Sequence, residues 1–302
     1  MGPSILRLCA GIVVVASLTA CDSGKGDSPA KQDVGTKSMT CVPESDLNGI
    51  VGGSLVNEDD SDAHMVMMLN IISDDGHLEI CTATAIAPDV LLTAAHCASG
   101  ATADHAFITL YHSITCESGF DIHRNIARIS SFVVNEQFDP ALVNGSSVDQ
   151  IVGDVALIFL QESLPSYYPI HKIAHVADIP STSPLYLLGY GSTSAVITDK
   201  GTSGPGAGTL RRAQLPFSDV TIDATNKKVN IDQSAGEGIC TGDSGGPGFV
   251  EVNGEFEILG VNSYVGGPND NICTGQATMT LADSYRDWIE QKMQLFGRSL
   301  AQ

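Results

Sequence analysis

The stretch Gly238-Ile239-Cys240-Thr241-Gly242-Asp243-Ser244-Gly245-Gly246-Pro247 sets one serine among four glycines, with an aspartate directly before it. Glycines remove Cβ atoms where a backbone must turn tightly or approach a ligand closely. Such a loop can present a hydroxyl and aim backbone N–H groups at one point. Acyl transfer needs both, a nucleophile and donors for the developing oxyanion. A glycine-rich turn with one serine is more often only a turn. Ser244 therefore needs a base elsewhere in the chain, and the base needs an orienter.

The candidate base is His96. It closes the run Val90-Leu91-Leu92-Thr93-Ala94-Ala95-His96-Cys97, whose apolar start reads as a buried strand. An imidazole titrates near neutrality, which suits a general base. The remaining histidines (64, 77, 105, 112, 123, 171, 175) show no paired metal-ligand spacing and read as solvated loop residues. The candidate orienter is Asp154, which opens Asp154-Val155-Ala156-Leu157-Ile158-Phe159-Leu160. An aspartate heading so apolar a strand is partly buried, where it can fix an imidazole tautomer. Asp139 and Asp149 lie nearby, but neither heads an apolar run.

T-A-A-H-C around His96, D-V-A-L from Asp154 and G-D-S-G-G-P around Ser244 resemble the three active-site motifs of the trypsin/chymotrypsin family of serine proteases, in that family's order. Ile50-Val51-Gly52-Gly53 is similar to the start of the mature enzyme. Leu185–Gly191, Glu257–Tyr264 and a C-terminal amphipathic stretch resemble later elements, so the likeness runs from residue 50 to about 295. It implies an all-β fold of two six-stranded antiparallel β-barrels with a C-terminal α-helix. The first barrel spans about 50–172 and the second about 173–302. Ser244 is then the nucleophile of a peptide-bond hydrolase, with the N–H groups of Gly242 and Ser244 as oxyanion donors. No cofactor and no metal are implied, and no calcium-loop pattern lies between Cys97 and Asp154. Residues 192–209 read as a surface loop. Tyr285, Trp288, Ile289 and Met293 fall at helical spacing, with Asp283 as N-cap, on a helix expected against the second barrel.

The resemblance assigns further roles. A cut before Ile50 frees an ammonium that pairs with Asp243 and locks the oxyanion loop. The family places Arg or Lys before the cut, whereas Asn48-Gly49 stands here, so a trypsin-like activator does not match. Gly238, six residues before Ser244, takes the place of the floor of the pocket for the residue before the scissile bond (P1). It carries no charge, which argues against Arg or Lys there. Ile239, Val265 and, on the opposite wall, Gln276 resemble the elastase-like members, which take small apolar P1 residues. Ser263 stands where a serine supports the triad aspartate, and Ser263-Tyr264-Val265 is the edge to which extended substrate adds. Two alternatives stay open: a chain that is never cut and stays latent, or a non-catalytic binding module on the same scaffold.

Eight cysteines are present. Cys81–Cys97 and Cys240–Cys273 match two family bridges, and the remaining Cys41 and Cys116 are expected to pair with each other, the alternative being two free thiols or an intermolecular bond. If they pair, a cut before Ile50 leaves residues 21–49 attached. Residues 1–20 read as a secretory signal: Arg7 precedes an apolar run from Leu8 to Leu18 that is too short to span a bilayer. Leu18-Thr19-Ala20-Cys21 resembles a bacterial lipobox, with Cys21 as the lipidated N-terminus. Residues 22–49 are poor in large apolar groups and read as a flexible tether, with a span of roughly 30 Å. The chain is thus expected to be exported and held at a membrane by lipid. Its partners would be protein or peptide substrates and an activating protease. A net charge of -20 argues against nucleic acid.

Overall fold

The computed structural model describes residues 50–73, 76–110, 125–143, 148–198, 201–268 and 270–301. Cys21, Cys41 and Cys116, and with them the anchor and the third bridge, lie outside the described residues.

In the first half, β1 (Ser54–Leu55) is followed by β2 (Met67–Ile72), β3 (Leu78–Ala87), β4 (Val90–Thr93), β5 (Ala106–Thr109), β6 (Ile126–Val134) and β7 (Ala156–Leu160). β2 to β7 close into an antiparallel barrel, order β2-β3-β4-β7-β6-β5. β4 and β7 read as continuous apolar runs because every residue of Val90–Thr93 and Ala156–Leu160 is buried. Leu91, Leu92, Leu157 and Ile158 are all buried. A short helix, α1 (Ala95–Ala98), follows β4 directly and carries His96.

The second half contains β8 (Leu185–Gly189), β9 (Val196–Thr198), β10 (Gly201–Ser203), β11 (Arg211–Leu215), β12 (Val220–Asp223), β13 (Lys228–Asp232), β14 (Pro247–Val252), β15 (Glu255–Gly266) and β16 (Gln276–Leu281). Here the structure differs in detail from a six-stranded ring. One eight-stranded antiparallel sheet runs β1-β11-β8-β14-β15-β16-β13-β12 and curls over a core of Leu185, Leu187, Ile231, Leu259 and Met279. β1 belongs to this sheet, pairing Ser54 with Arg212, and Val51 bridges to Gly238. Residues 50–55 therefore sit with the second half, because the Ile50 side chain is buried in its core. The stretch 192–209 is not all loop, since β9 and β10 form a hairpin within it.

α2 (Arg286–Leu295) packs on the first barrel, not the second. Ile289 and Met293 are fully buried in the cluster that holds the first-barrel core together with a few residues of the second half, and Phe296 just beyond the helix stacks on Phe159 of β7 at 4.0 Å. Trp288 Nε1 donates to Glu136 (2.7 Å), and Arg298 pairs with Asp89. Asp283 is not the cap of α2. It lies in the preceding 3-10 turn and accepts from Arg286 Nε at 2.9 Å. His171, read from sequence as solvated, is buried between the halves. Its ring lies 4.5 Å from Phe249 and its Nδ1 donates to the Phe256 carbonyl. No helix among the described residues is long and apolar enough to cross a membrane.

Candidate active site

The junction of the halves brings together residues 58 and 90 positions apart in the chain. Asp154 leads into β7 and is 1 % exposed. Its Oδ1 accepts from the His96 backbone N–H (2.8 Å), and its Oδ2 pairs with His96 Nδ1 (2.8 Å). Ser263 Oγ donates to the same Oδ2 at 2.5 Å, and Thr280 Oγ1 donates to the Asp154 carbonyl at 3.0 Å. Burial alone would raise the Asp154 pKa, but His96 and Ser263 override it and hold the carboxyl below its ordinary value. Burial alone would likewise lower the His96 pKa, and the Asp154 charge reverses that into a net rise. An ionised carboxylate only accepts, so Nδ1 carries the proton and Nε2 offers a lone pair.

Ser244 is half-buried on the turn before β14. Its carbonyl accepts from Thr82 N at 2.8 Å, which fastens the loop to the first barrel. Gly245 N donates to the Asn262 carbonyl (2.9 Å), and Asn262 Nδ2 donates to the Asp243 carbonyl (2.9 Å). From Gly242 to Gly246, the N–H groups of Asp243, Gly245 and Gly246 are taken up internally. Those of Gly242 and Ser244 have no acceptor among the described residues, the pattern an oxyanion site requires. No hydrogen bond joins Ser244 Oγ to His96 Nε2 among the described residues, and such contacts commonly tighten only with substrate bound.

Asp243 lies beneath the loop, fully buried, and accepts from Gly191 N and Cys240 N at 2.8 Å each. Burial pushes its pKa up to about 7 against the pull of those two donors. A Cβ on Gly189 would lie 2.1 Å from Asp243 Oδ1, so only glycine leaves room for this carboxyl. Ile50 is buried in the same half, at φ +42, with Val51 N donating to the Gly238 carbonyl at 2.9 Å. No hydrogen bond joins Ile50 to Asp243 among the described residues.

The pocket residues separate. Gly238 and Ile239 are buried and Val265 is half-buried. Gln276 is exposed and pairs with Gly266, whereas Ala277 pairs with Val265. Directly paired residues share a face of the sheet, so Ala277, not Gln276, is the neighbour of Val265. β15 pairs with β14 only as far as Val261 and with β16 as far as Gly266, so among the described residues no strand pairs with its other edge from Ser263 onward, beside Ser244. Tyr264 is half-buried there, with Lys228 donating to its hydroxyl at 3.3 Å.

Both expected bridges among the described residues are formed, Cys81–Cys97 and Cys240–Cys273. Cys81, Cys97 and His96 bring their ligand atoms within 4.8 Å of one another. The two sulfurs are bonded to each other, so no thiolate is available to hold a metal. Sequence reading missed Thr82, Asn262, Thr280 and Gln233. For Gln233 a signal existed: Val229, Ile231 and Gln233 fall at period two, which places the glutamine on an inward face.

A mostly-β molecule with a presented serine and an Asp-held histidine at the seam of two sheets defines a serine hydrolase. The sequence profile of the trypsin family matches residues 50–289, and the chain belongs to that family. It is similar to chymotrypsin-like elastase family member 1 of Canis lupus familiaris, 26% identical over 82% of this chain and 93% of the relative. It is similar also to chymotrypsin-C of Bos taurus (26%, over 75% and 83%) and to proproteinase E of the same species (26%, over 70% and 82%). The chain is a serine endopeptidase, and its substrates are proteins or peptides.

Proposed function

We propose that Ser244, His96 and Asp154 act as nucleophile, base and orienter in the hydrolysis of peptide bonds. The observation that carries this reading is Asp154: both of its oxygens are committed to His96, which leaves Nε2 as the free lone pair. Ser244 Oγ attacks the carbonyl carbon as Nε2 takes its proton, and the Gly242 and Ser244 N–H groups hold the oxyanion. Nε2 then gives the proton to the leaving amine, and water clears the acyl group by the same path. The Ser263 side chain supports Asp154, which leaves its backbone, on the edge of β15 beside Ser244, to pair with extended substrate.

Among the described residues no cation pairs with Asp243, and burial pushes its pKa up to about 7. A cut before Ile50 would supply an ammonium from a chain end already docked beside Gly238. The protein is then made as a zymogen. The signal and lipobox of residues 1–21 support export and anchoring at a membrane. Ile239 and Val265 at the pocket support small apolar P1 residues, and relatives of the chain carry elastase in their names.

A fluorophosphonate probe is expected to label one serine of the cut protein, in the membrane fraction, and Ser244→Ala is expected to abolish the label. Equal labelling before and after the cut would sink the zymogen account. No labelling in either state would favour a binding module. The pH profile gives a second check. Only neutral His96 can accept the proton, so kcat/KM rises with pH as His96 deprotonates. Because its pKa is raised, the midpoint of that limb is expected above the ordinary 6.5. A midpoint below 6.5 would remove the Asp154 charge as the dominant influence on His96.

A further inference from the structure

Gln233 is a polar side chain in an apolar position. It is fully buried, just beyond β13, on the face that carries Val229 and Ile231. A buried amide destabilises unless its hydrogen bonds are made. Here they are made, and all to backbone. Nε2 donates to the Ile239 carbonyl (3.0 Å) and to the Cys273 carbonyl (2.9 Å). Oε1 accepts from Ile239 N at 2.7 Å. One side chain thus ties together the two segments that the Cys240–Cys273 bridge also joins.

The same side chain occupies the space in front of Gly238. A Cβ built there would lie 2.2 Å from Gln233 Cδ and 2.3 Å from its Oε1, with backbone φ +156. No side chain of any size can enter from position 238 while Gln233 is in place. Because both Nε2 protons are spent, the plug offers no donor to a ligand.

We infer that Gln233, rather than residue 238, sets the depth and chemistry of the P1 pocket. This rests on the reading of Gly238, Ile239 and Val265 as that pocket. The pocket ends at a neutral amide with no free donor and without room for a long side chain. A P1 lysine or arginine would have to shed water against groups already paired, and a long apolar residue would overpack. Gln233 is a specificity-determining and positioning residue that does not touch the reacting atoms.

The test profiles a P1 peptide library with the cut protein as wild type, Gln233→Ala and Gln233→Asn, alongside the rate of Ser244 labelling. The wild type is expected to favour Ala and Val over Leu and Met by about tenfold or more. Gln233→Ala should erase most of that preference, with Ser244 labelling read only to show that the variant still assembles a site. Gln233→Asn, one methylene shorter but still an amide, should shift it in the same direction and covers an alanine variant that fails to fold. In thermal unfolding, Gly238→Ala should lower the midpoint by about 5 °C in the native background and by clearly less beside Gln233→Ala. Folded variants that label normally with an unchanged P1 profile would overturn the inference, as would additive melting shifts. If the wild type itself does not label, the protease reading fails and takes the P1 assignment with it. The melting cycle still decides whether the two positions share one space.

Discussion

Asp154→Asn is expected to lower kcat by about 10⁴-fold with little change in thermal stability, a size that is the family's own and not read from these distances. Both halves of the expectation come from donors and acceptors. Asp154 accepts from three groups: the His96 N–H, His96 Nδ1 and Ser263 Oγ. An asparagine has one oxygen and one NH₂. Its oxygen can keep the His96 backbone N–H, and its NH₂ then faces Nδ1 and Ser263. The serine hydroxyl can turn to accept, so the buried network stays satisfied and the fold holds. The imidazole must also accept, which moves its proton to Nε2. An Nε2–H cannot take a proton from Ser244. The measurement is kcat at a pH above the His96 limb, beside a melting curve. A loss under tenfold would mean that His96 is not the base or that Asp154 does not set its tautomer. Equal damage to stability and rate would make Asp154 only a structural group.

The site was more legible in the sequence than the architecture around it, for a physical reason. Chemistry is local: a histidine after a buried strand, an aspartate before one and a serine among glycines each carry their signal within a few residues. Packing partners are not local. The period of Ile289 and Met293 says that one face of α2 is buried, but not against which barrel, and contacts with Glu136, Phe159 and Asp89 hold the helix end to the first. Alternation says that Gln276 and Ala277 point to opposite faces, yet which of them meets Val265 depends on a register set across two strands. At Gln233 polarity masks the period-two signal, because a polar residue reads as exposed unless its partners are known, and these partners are backbone groups of Ile239 and Cys273. His171 misled in the same way, buried between Phe249 and a carbonyl.

The seam between the halves leads to the second large effect, expected from a single methyl group. In Gly245→Ala the new Cβ would lie 2.1 Å from Thr93 Oγ1, 2.5 Å from the Thr82 carbonyl and 2.9 Å from Ala94 N, at a φ of +79. Two of these atoms are backbone and cannot swing aside. The third is the hydroxyl that donates to Thr82 O at 2.9 Å, so relieving that clash breaks a buried hydrogen bond. Thr82 N holds the Ser244 carbonyl, and Thr93 stands three residues before His96. Any relaxation therefore moves nucleophile and base apart. Left-handed backbone costs about 1–2 kcal/mol for alanine, and overpacking adds about 1–3 kcal/mol. The variant should lose that stability together with about 100-fold or more in Ser244 labelling, since displacements near 1 Å cost rates of this order. Gly254→Ala is the control: its φ is +84, but nothing lies within 4 Å of the new Cβ, so it bears the backbone cost alone. If Gly245→Ala and Gly254→Ala prove equally mild in melting and labelling, the close approach of the serine loop to the histidine arm does not hold the site together. If only Gly245→Ala fails, the two halves of the molecule meet through a contact that no side chain can enter, and the alignment of Ser244 with His96 depends on it.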